Sequence, residues 1–373
     1  MIALFEQYPL LQNKLPYTSL GQFPTPVQKL ERLGRDLHMS HLYIKRDDLS
    51  GKVYGGNKPR KLEFLLGKAL RANTKEVITF GAAGSNHALA TAIYAQQIGL
   101  KSISMLLPQP NAHYVRRNLL MSHHCGAELH LCRAALHSWR NWLLLFWATT
   151  YQLLRHKLRS GCFPQLIPPG GSSPLGVIGF VNAAFELKEQ IVNEEMPEPD
   201  YIYVASGTMG TAAGLMLGLR AANLRSQVIS VRVADDKFMN AKGMIKLIYK
   251  TNLLLHSLDA SFPKIKLSAE DLNIRHDFYG QEYALFTRIG MEAVARMKER
   301  EGINLEGTYT GKTLAAVVTD SENADLRDKV VLFWNTLNSS DFSAVIAGVD
   351  YHSLPRSFHQ YFEQEVQPLD VGP

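Results

Sequence analysis

Tyr54-Gly55-Gly56-Asn57-Lys58-Pro59-Arg60-Lys61 is the stretch around which the rest of the chain is read. A lysine just after two glycines sits where backbone can approach a planar ligand closely, because glycine has no side chain in the way. An amine held there can form a Schiff base with an aldehyde. The plainer reading is a glycine turn opening a helix, with Lys58 and Lys61 solvated. Proline at a helix start fits both readings, and the spacing predicts a helix from about Pro59 to Ala72. Two further stretches decide between them.

The first is Ala205-Ser206-Gly207-Thr208-Met209-Gly210-Thr211-Ala212-Ala213-Gly214, which joins a β-prone apolar run, Tyr201 to Ala205, to an apolar helix. Small residues let successive backbone N–H groups turn toward one point, and the helix adds its partial positive end. That makes a phosphate cradle from Gly207, Thr208, Met209, Gly210 and Thr211. It is neither a dinucleotide fingerprint nor a Walker A loop, since no lysine follows the second glycine. The second is Gly81-Ala82-Ala83-Gly84-Ser85-Asn86-His87, again between a strand and a helix. N–H groups at such a helix start can bind a carboxylate. Ser85 can relay a proton and Asn86 can hydrogen-bond a phenolic oxygen. Alone, these residues would be read as an ordinary N-cap, and His87 as a packing histidine.

Composition bounds the answer. The 373 residues suit two domains of ordinary size, and 46% apolar residues supply their cores. Strand and helix patterns alternate, which predicts an α/β chain. Expected strands are Leu42 to Lys45, Val77 to Phe80, Ser102 to Leu107, Ala127 to Leu131, Tyr201 to Ala205, Val228 to Val233 and Val330 to Phe333. Val27 to His38 is expected as a short helix, and 250–275 is hard to read. The net charge of +6 is scattered without a run of like charge or a zinc-finger spacing, so nucleic acid is not expected as a partner. Three cysteines without a CxxC argue against a disulfide framework or a metal site and suit a reducing, cytoplasmic setting. The N-terminus does not read as a signal peptide. The most apolar helix candidate, Trp139 to Leu154, is too short and polar to span a bilayer. Trp139, Trp142, Phe146 and Leu153 fall near one face, which predicts a core or subunit-contact helix, with interfacial membrane binding as the minor alternative; no membrane partner is expected.

Together the three stretches resemble the pyridoxal phosphate (PLP) dependent enzymes of fold type II, the tryptophan synthase β-like group. Within it they resemble the branch holding D-cysteine desulfhydrase and 1-aminocyclopropane-1-carboxylate (ACC) deaminase. Lys45-Arg46-Asp47-Asp48, Ile167-Pro168-Pro169-Gly170-Gly171-Ser172-Ser173-Pro174 and Tyr309-Thr310-Gly311-Lys312 carry the resemblance further. It implies two open twisted α/β domains with the active site in their cleft. The expected division is a small domain over 57–164 and a large PLP-binding domain over 1–56 and 165–373. It also implies a homodimer.

The resemblance implies that Lys58 holds PLP and then serves as base at the substrate α-carbon. Lys61 and the 207–211 backbone would hold the phosphate, and Asn86 would meet the phenolic oxygen. Ser85 with the 85–87 backbone would hold the substrate carboxylate. Tyr283 and Tyr309 match the two active-site tyrosines, which composition alone would leave as core tyrosines.

Two positions bear on the substrate, a small amino acid. Thr310 stands where the deaminase branch has a glutamate facing the pyridine nitrogen, and Thr336 where that branch has leucine. A neutral group at 310 gives a weaker electron sink, which suits β-elimination from D-cysteine. The rivals are ACC deaminase, giving 2-oxobutyrate and ammonia, and a catalytically idle PLP- or amino-acid-binding protein. Departures from the branch pattern are Gly84, where relatives often carry glutamine, Glu306-Gly307-Thr308, Leu337-Asn338, and a longer 133–164 segment.

Overall fold

A computed structural model describes residues 2–132 and 139–371. Among the described residues ten strands form two sheets. They are β1 (Val27–Lys29), β2 (Leu42–Lys45), β3 (Glu76–Ala82), β4 (Lys101–Leu107), β5 (Glu128–Leu131), β6 (Gln165–Ile167), β7 (Tyr201–Ser206), β8 (Gln227–Arg232), β9 (Asn273–Arg275) and β10 (Val331–Trp334).

The six-stranded sheet has the order β1-β2-β10-β7-β8-β9 and belongs to a unit of residues 1–64 and 172–340. All its neighbours are parallel except β1, which pairs antiparallel with β2 at the edge. Purely parallel strands are buried on both faces, and Val331, Leu332, Phe333 and Trp334 are all fully buried. One face packs on the helices Pro174–Val192, Gly210–Ala221 and Ala241–Leu258. The other packs on Glu31–Asp36, Arg288–Glu301 and Thr310–Asp320.

The four-stranded sheet, order β5-β4-β3-β6, is wholly parallel and belongs to a unit of residues 65–171 and 341–373. The expected division left 341–373 with the larger domain. Here that segment packs within the smaller unit: Gln109 N–H donates to the Tyr361 hydroxyl at 3.2 Å, and Arg116 Nε donates to the Tyr361 carbonyl at 2.7 Å.

The expected strands form with boundaries shifted by one or two residues. The Val27–His38 helix does not: Val27–Lys29 is an edge strand and only Glu31–Asp36 is helical. Valine favours strands, and β2 offered an unpaired edge. The segment left unread contains the end of the Ala241–Leu258 helix and β9.

A buried ion network fixes the start of the Lys58–Arg71 helix. Arg60 donates to Asp47 at 2.7 and 2.9 Å and to Glu186 at 2.7 and 2.9 Å. Lys45 Nζ lies 2.7 Å from Glu186, and Trp334 Nε1 donates to Asp47 at 2.7 Å. Two cations face two carboxylates, so the buried charges balance. The same motif holds the glycine turn, since Gly56, at φ +84°, donates its N–H to the Asp47 carbonyl at 2.7 Å. The Lys45-Arg46-Asp47-Asp48 marker is thus part of the scaffold behind Lys58.

Burial alone would push the Glu186 carboxyl up; Arg60 and Lys45 outweigh it and hold it at about 2. A carboxyl depressed on folding stabilises the fold above its unfolded pKa, and that stability is lost as pH falls through the folded value. Acidification from about pH 4.5 to about pH 2 is therefore expected to remove roughly 3 kcal/mol at this one site. Urea titrations of the wild type and of Glu186→Gln across that window check it: the variant's stability should fall less steeply with acid.

Candidate active site

The Lys58–Arg71 helix begins at Lys58 itself. Its amine donates to the Asn57 carboxamide oxygen at 2.6 Å. Burial pushes the amine down to about 8, with Glu306 pulling the other way. Near neutral pH an appreciable fraction is therefore the free amine, the form that attacks a carbonyl or takes a proton. Lys61, one helical turn on, is buried and held well below the ordinary lysine value, first by burial and then by the charge of Lys58.

The 207–211 loop leaves β7 and opens the Gly210–Ala221 helix. Met209, the N-cap, has φ +65°, a conformation that side-chain residues rarely adopt and that recurs at functional sites. A Cβ added at Gly210 would stand 2.5 Å from Ser172 Oγ and 2.9 Å from Lys61 Nζ. The Ser172 and Thr208 hydroxyls are 2.8 Å apart, and Asn57 Nδ2 donates to Thr211 Oγ1 at 3.0 Å. A glycine gap thus opens onto a lysine amine, two hydroxyls and a helix N-terminus. That set fits a phosphate ester, whose negative charge also offsets the repulsion between Lys58 and Lys61.

Tyr283 and Tyr309 share a hydrogen bond between their hydroxyls, with rings 6.3 Å apart and edge-on. Burial raises the Tyr283 phenol, its bond to Tyr309 lowers it, and Glu306 raises it; the net shift is upward, so it is a protonated donor at neutral pH. A Cβ at Gly207 would lie 3.6 Å from Tyr309 Cε1, which puts the tyrosine pair beside the loop. The segment carrying Tyr283 is pinned by Lys312, whose amine donates to the Tyr279 carbonyl at 2.6 Å.

Thr310 is buried at the start of the Thr310–Asp320 helix. Its hydroxyl accepts the Glu306 N–H at 3.0 Å and lies 3.3 Å from Glu306 Oε1. Glu306 caps this helix: its carboxylate accepts the N–H groups of Thr308 at 2.8 Å, Tyr309 at 2.7 Å and Thr310 at 2.8 Å. A carboxylate at a helix N-terminus is favourably placed. The Glu306-Gly307-Thr308 departure is therefore a cap. The Thr336 carbonyl accepts the Asn57 N–H at 3.3 Å, beside the glycine turn.

The larger unit thus brings together Lys58, Lys61, the 207–211 loop, Tyr283, Tyr309, Thr310 and Thr336. Ser85, Asn86 and His87 lie on the smaller unit, at the start of the Asn86–Gln97 helix. Ser85 Oγ accepts the Ala88 N–H at 3.2 Å, the N-cap role considered from the sequence. Asn86 Oδ1 accepts from Asn118 Nδ2 at 2.9 Å, and His87 is buried. Gly84 has a steric reason: a Cβ there would stand 2.8 Å from both Tyr114 Cε2 and Val115 Cγ2. Its N–H donates to Gln109 Oε1 at 2.9 Å and its carbonyl accepts from Asn118 at 2.9 Å.

The sequence reading gave no role to Asn57, Ser172, Glu306, Gln109 or Asn118. Glu306 had a signal, an acidic residue just ahead of an apolar helix. Gln109 and Asn118 had none, because they reach the turn through tertiary packing. Among the described residues no group of His, Cys, Asp or Glu could hold a metal ion.

The family described as pyridoxal-phosphate dependent enzyme matches residues 18–336, and the chain belongs to it. It is a PLP enzyme of fold type II. A Pyrococcus horikoshii protein provisionally named 1-aminocyclopropane-1-carboxylate deaminase is 33% identical over 321 residues, 86% of this chain and 91% of the relative. A Serratia proteamaculans D-cysteine desulfhydrase is 30% identical over 334 residues, 87% of this chain and 96% of the relative. Among solved structures, an ACC deaminase homologue superposes with a TM-score of 0.75 at 31% identity, covering 92% of this chain and 98% of that one.

Proposed function

We propose that the chain catalyses β-elimination on D-cysteine, consuming water and releasing pyruvate, sulfide and ammonia. The observation that carries this reading is Thr310, a buried neutral hydroxyl that follows Tyr309. On the resemblance, this position faces the cofactor's ring nitrogen. Glu306 is the nearby carboxylate, and its oxygens are occupied by three backbone N–H groups. The bound cofactor supplies an electron sink for the α-carbon. A weak sink suits a reaction in which the departing thiolate carries the electrons away. The names of relatives such as the Serratia proteamaculans D-cysteine desulfhydrase support the same reading.

Lys58 holds the cofactor and, as free amine, takes the α-proton; the lowering of its pKa to about 8 supports that role. Lys61, Ser172 and the 207–211 backbone hold the phosphate. Ser85, Asn86 and His87 serve the substrate carboxylate and the cofactor's phenolic oxygen. The Tyr283–Tyr309 pair donates protons on the reacting side. Sulfide release from D-cysteine, with L-cysteine alongside, tests the reading; release from neither would defeat it.

ACC deamination is the second reading. It is favoured by the Pyrococcus horikoshii relative and by the carboxylate of Glu306 lying 3.3 Å from the Thr310 hydroxyl. Thr310→Glu separates the two. The new carboxylate should favour a protonated ring nitrogen and slow elimination by about tenfold or more, the effect of roughly 1.4 kcal/mol on the barrier. An unchanged rate and cofactor spectrum would mean that Thr310 does not face that nitrogen.

The setting proposed is the cytoplasm, supported by three free thiols, Cys125, Cys132 and Cys162. The assembly proposed is a homodimer, supported by the family resemblance.

A further inference from the structure

The helix Trp139–Ser160 of the smaller unit is apolar on its outward side as well as where it meets the core. Its inward side packs Leu145, Ala148 and Leu153 on the sheet and carries two buried polar residues. Gln152 is 8% exposed, and His156, 2% exposed, lies 3.1 Å from Glu76 and 3.4 Å from Glu128. Its outward side is apolar. Leu144, Phe146, Trp147, Tyr151, Leu154 and Leu158 are between 51% and 88% exposed. Phe146, expected in a core or subunit contact, is 61% exposed, and Leu153 packs inward; the side chains of Trp139 and Trp142 lie outside the described residues.

Leu144, Trp147, Tyr151, Leu154 and Leu158 recur at alternating steps of three and four and form one stripe. Phe163 and Leu166, 47% and 45% exposed, extend the apolar surface beyond the helix. A patch of this kind marks an interaction surface.

Charge narrows the occupant. No Asp or Glu occurs between Glu128 and Glu186. Lys157 and Arg159 are exposed near the helix C-terminus, where Lys75 Nζ donates to the Ser160 carbonyl at 3.1 Å. Arg155 lies 2.6 Å from Glu128. Arg155 is thereby neutralised, but packing the stripe against its copy would leave Lys157 flanking the seam with no acidic residue on either helix, whereas paired helices set their register by opposite charges there. Three exposed aromatic side chains, Phe146, Trp147 and Tyr151, on a helix with Lys157 and Arg159 at its basic end are instead what a bilayer surface accepts. No helix among the described residues is long and apolar enough to cross a membrane.

We propose that this helix docks the enzyme on an anionic lipid bilayer, lying in the interface with its apolar stripe in the headgroup–acyl boundary. The test is flotation of the full-length, PLP-loaded protein with phosphatidylcholine vesicles, plain or mixed with phosphatidylglycerol. Binding is expected to the mixed vesicles and to weaken at high salt. Trp147→Ser with Leu158→Ser should abolish it. Lys157→Glu with Arg159→Glu should weaken it at least about tenfold, since each cation near such a surface contributes about a fivefold effect. All four substituted side chains are solvent-facing, so 2-oxo acid release and sedimentation coefficient should match the wild type. No flotation with the mixed vesicles, or equal binding to both kinds, would overturn the proposal. A lower sedimentation coefficient in the apolar variant would overturn it too, by assigning the face to a second copy.

Discussion

Lys58→Ala is expected to lower 2-oxo acid release by about 10⁴-fold or more, the upper end of what a positioned base contributes, because covalent attachment is lost with it. The structure gives the reason in two parts. Lys58 opens a helix whose backbone is tied down by the Asp47 and Arg60 contacts, so its amine is held rather than solvated. Burial brings that amine to about 8, so it is available as a base. Borohydride reduction followed by peptide mapping checks the assignment. The cofactor's mass should remain on the Lys58 peptide of the wild type and be absent from the variant. Lys61 is the internal control, being a second buried amine one turn away. Lys61→Ala should weaken cofactor retention yet leave the attachment at Lys58. Attachment at Lys61 in Lys58→Ala, with turnover preserved, would transfer the role.

Arg60→Ala is expected to destabilise the protein by about 3–5 kcal/mol, the range for breaking a buried ion pair from one side. Asp47 and Glu186 would keep only Lys45, Thr25 and Trp334 as partners in a site closed to water. The urea midpoint measures the loss. Activity should fall as well, because Arg60 lies in the first turn of the Lys58 helix. Adding Glu186→Gln to Arg60→Ala should recover part of the stability, since it leaves Lys45 facing the single carboxylate of Asp47 and restores the charge balance. Loss within 1 kcal/mol of zero would mean that the network lets in water.

Much of this architecture is legible in the sequence where chemistry is local. Gly55-Gly56-Asn57-Lys58 reads as a turn into a helix because glycine and proline act on their own backbone, and the structure starts the helix at Lys58. The 207–211 cradle is legible because consecutive small residues at a strand–helix junction have few other uses. The turn at Ser85 is legible as a cap, and its side chain is one. What could not be read depends on distant residues. Asp47 meets Arg60, and Arg60 meets Glu186, only after folding, so the marker motif gave no hint that it is scaffold. Gly84 stood out only as a departure; the steric reason lies in Tyr114 and Val115 on another helix. Val27–Lys29 was misread because three residues carry too little periodicity to outweigh the helical pattern that follows. The orientation of Trp139–Ser160 was open in the sequence between core and subunit contact, because an apolar helix face does not say what covers it; in the structure that face is exposed on the single chain.

The most direct measurement of the central claim is the identity of the 2-oxo acid released by purified, PLP-loaded protein given D-cysteine and ACC in parallel. Pyruvate from D-cysteine, with no 2-oxobutyrate from ACC, is the expected result, and it ties the neutral Thr310 to elimination. 2-Oxobutyrate from ACC, with D-cysteine inert, would contradict it and show that a hydroxyl at 310 permits ring opening.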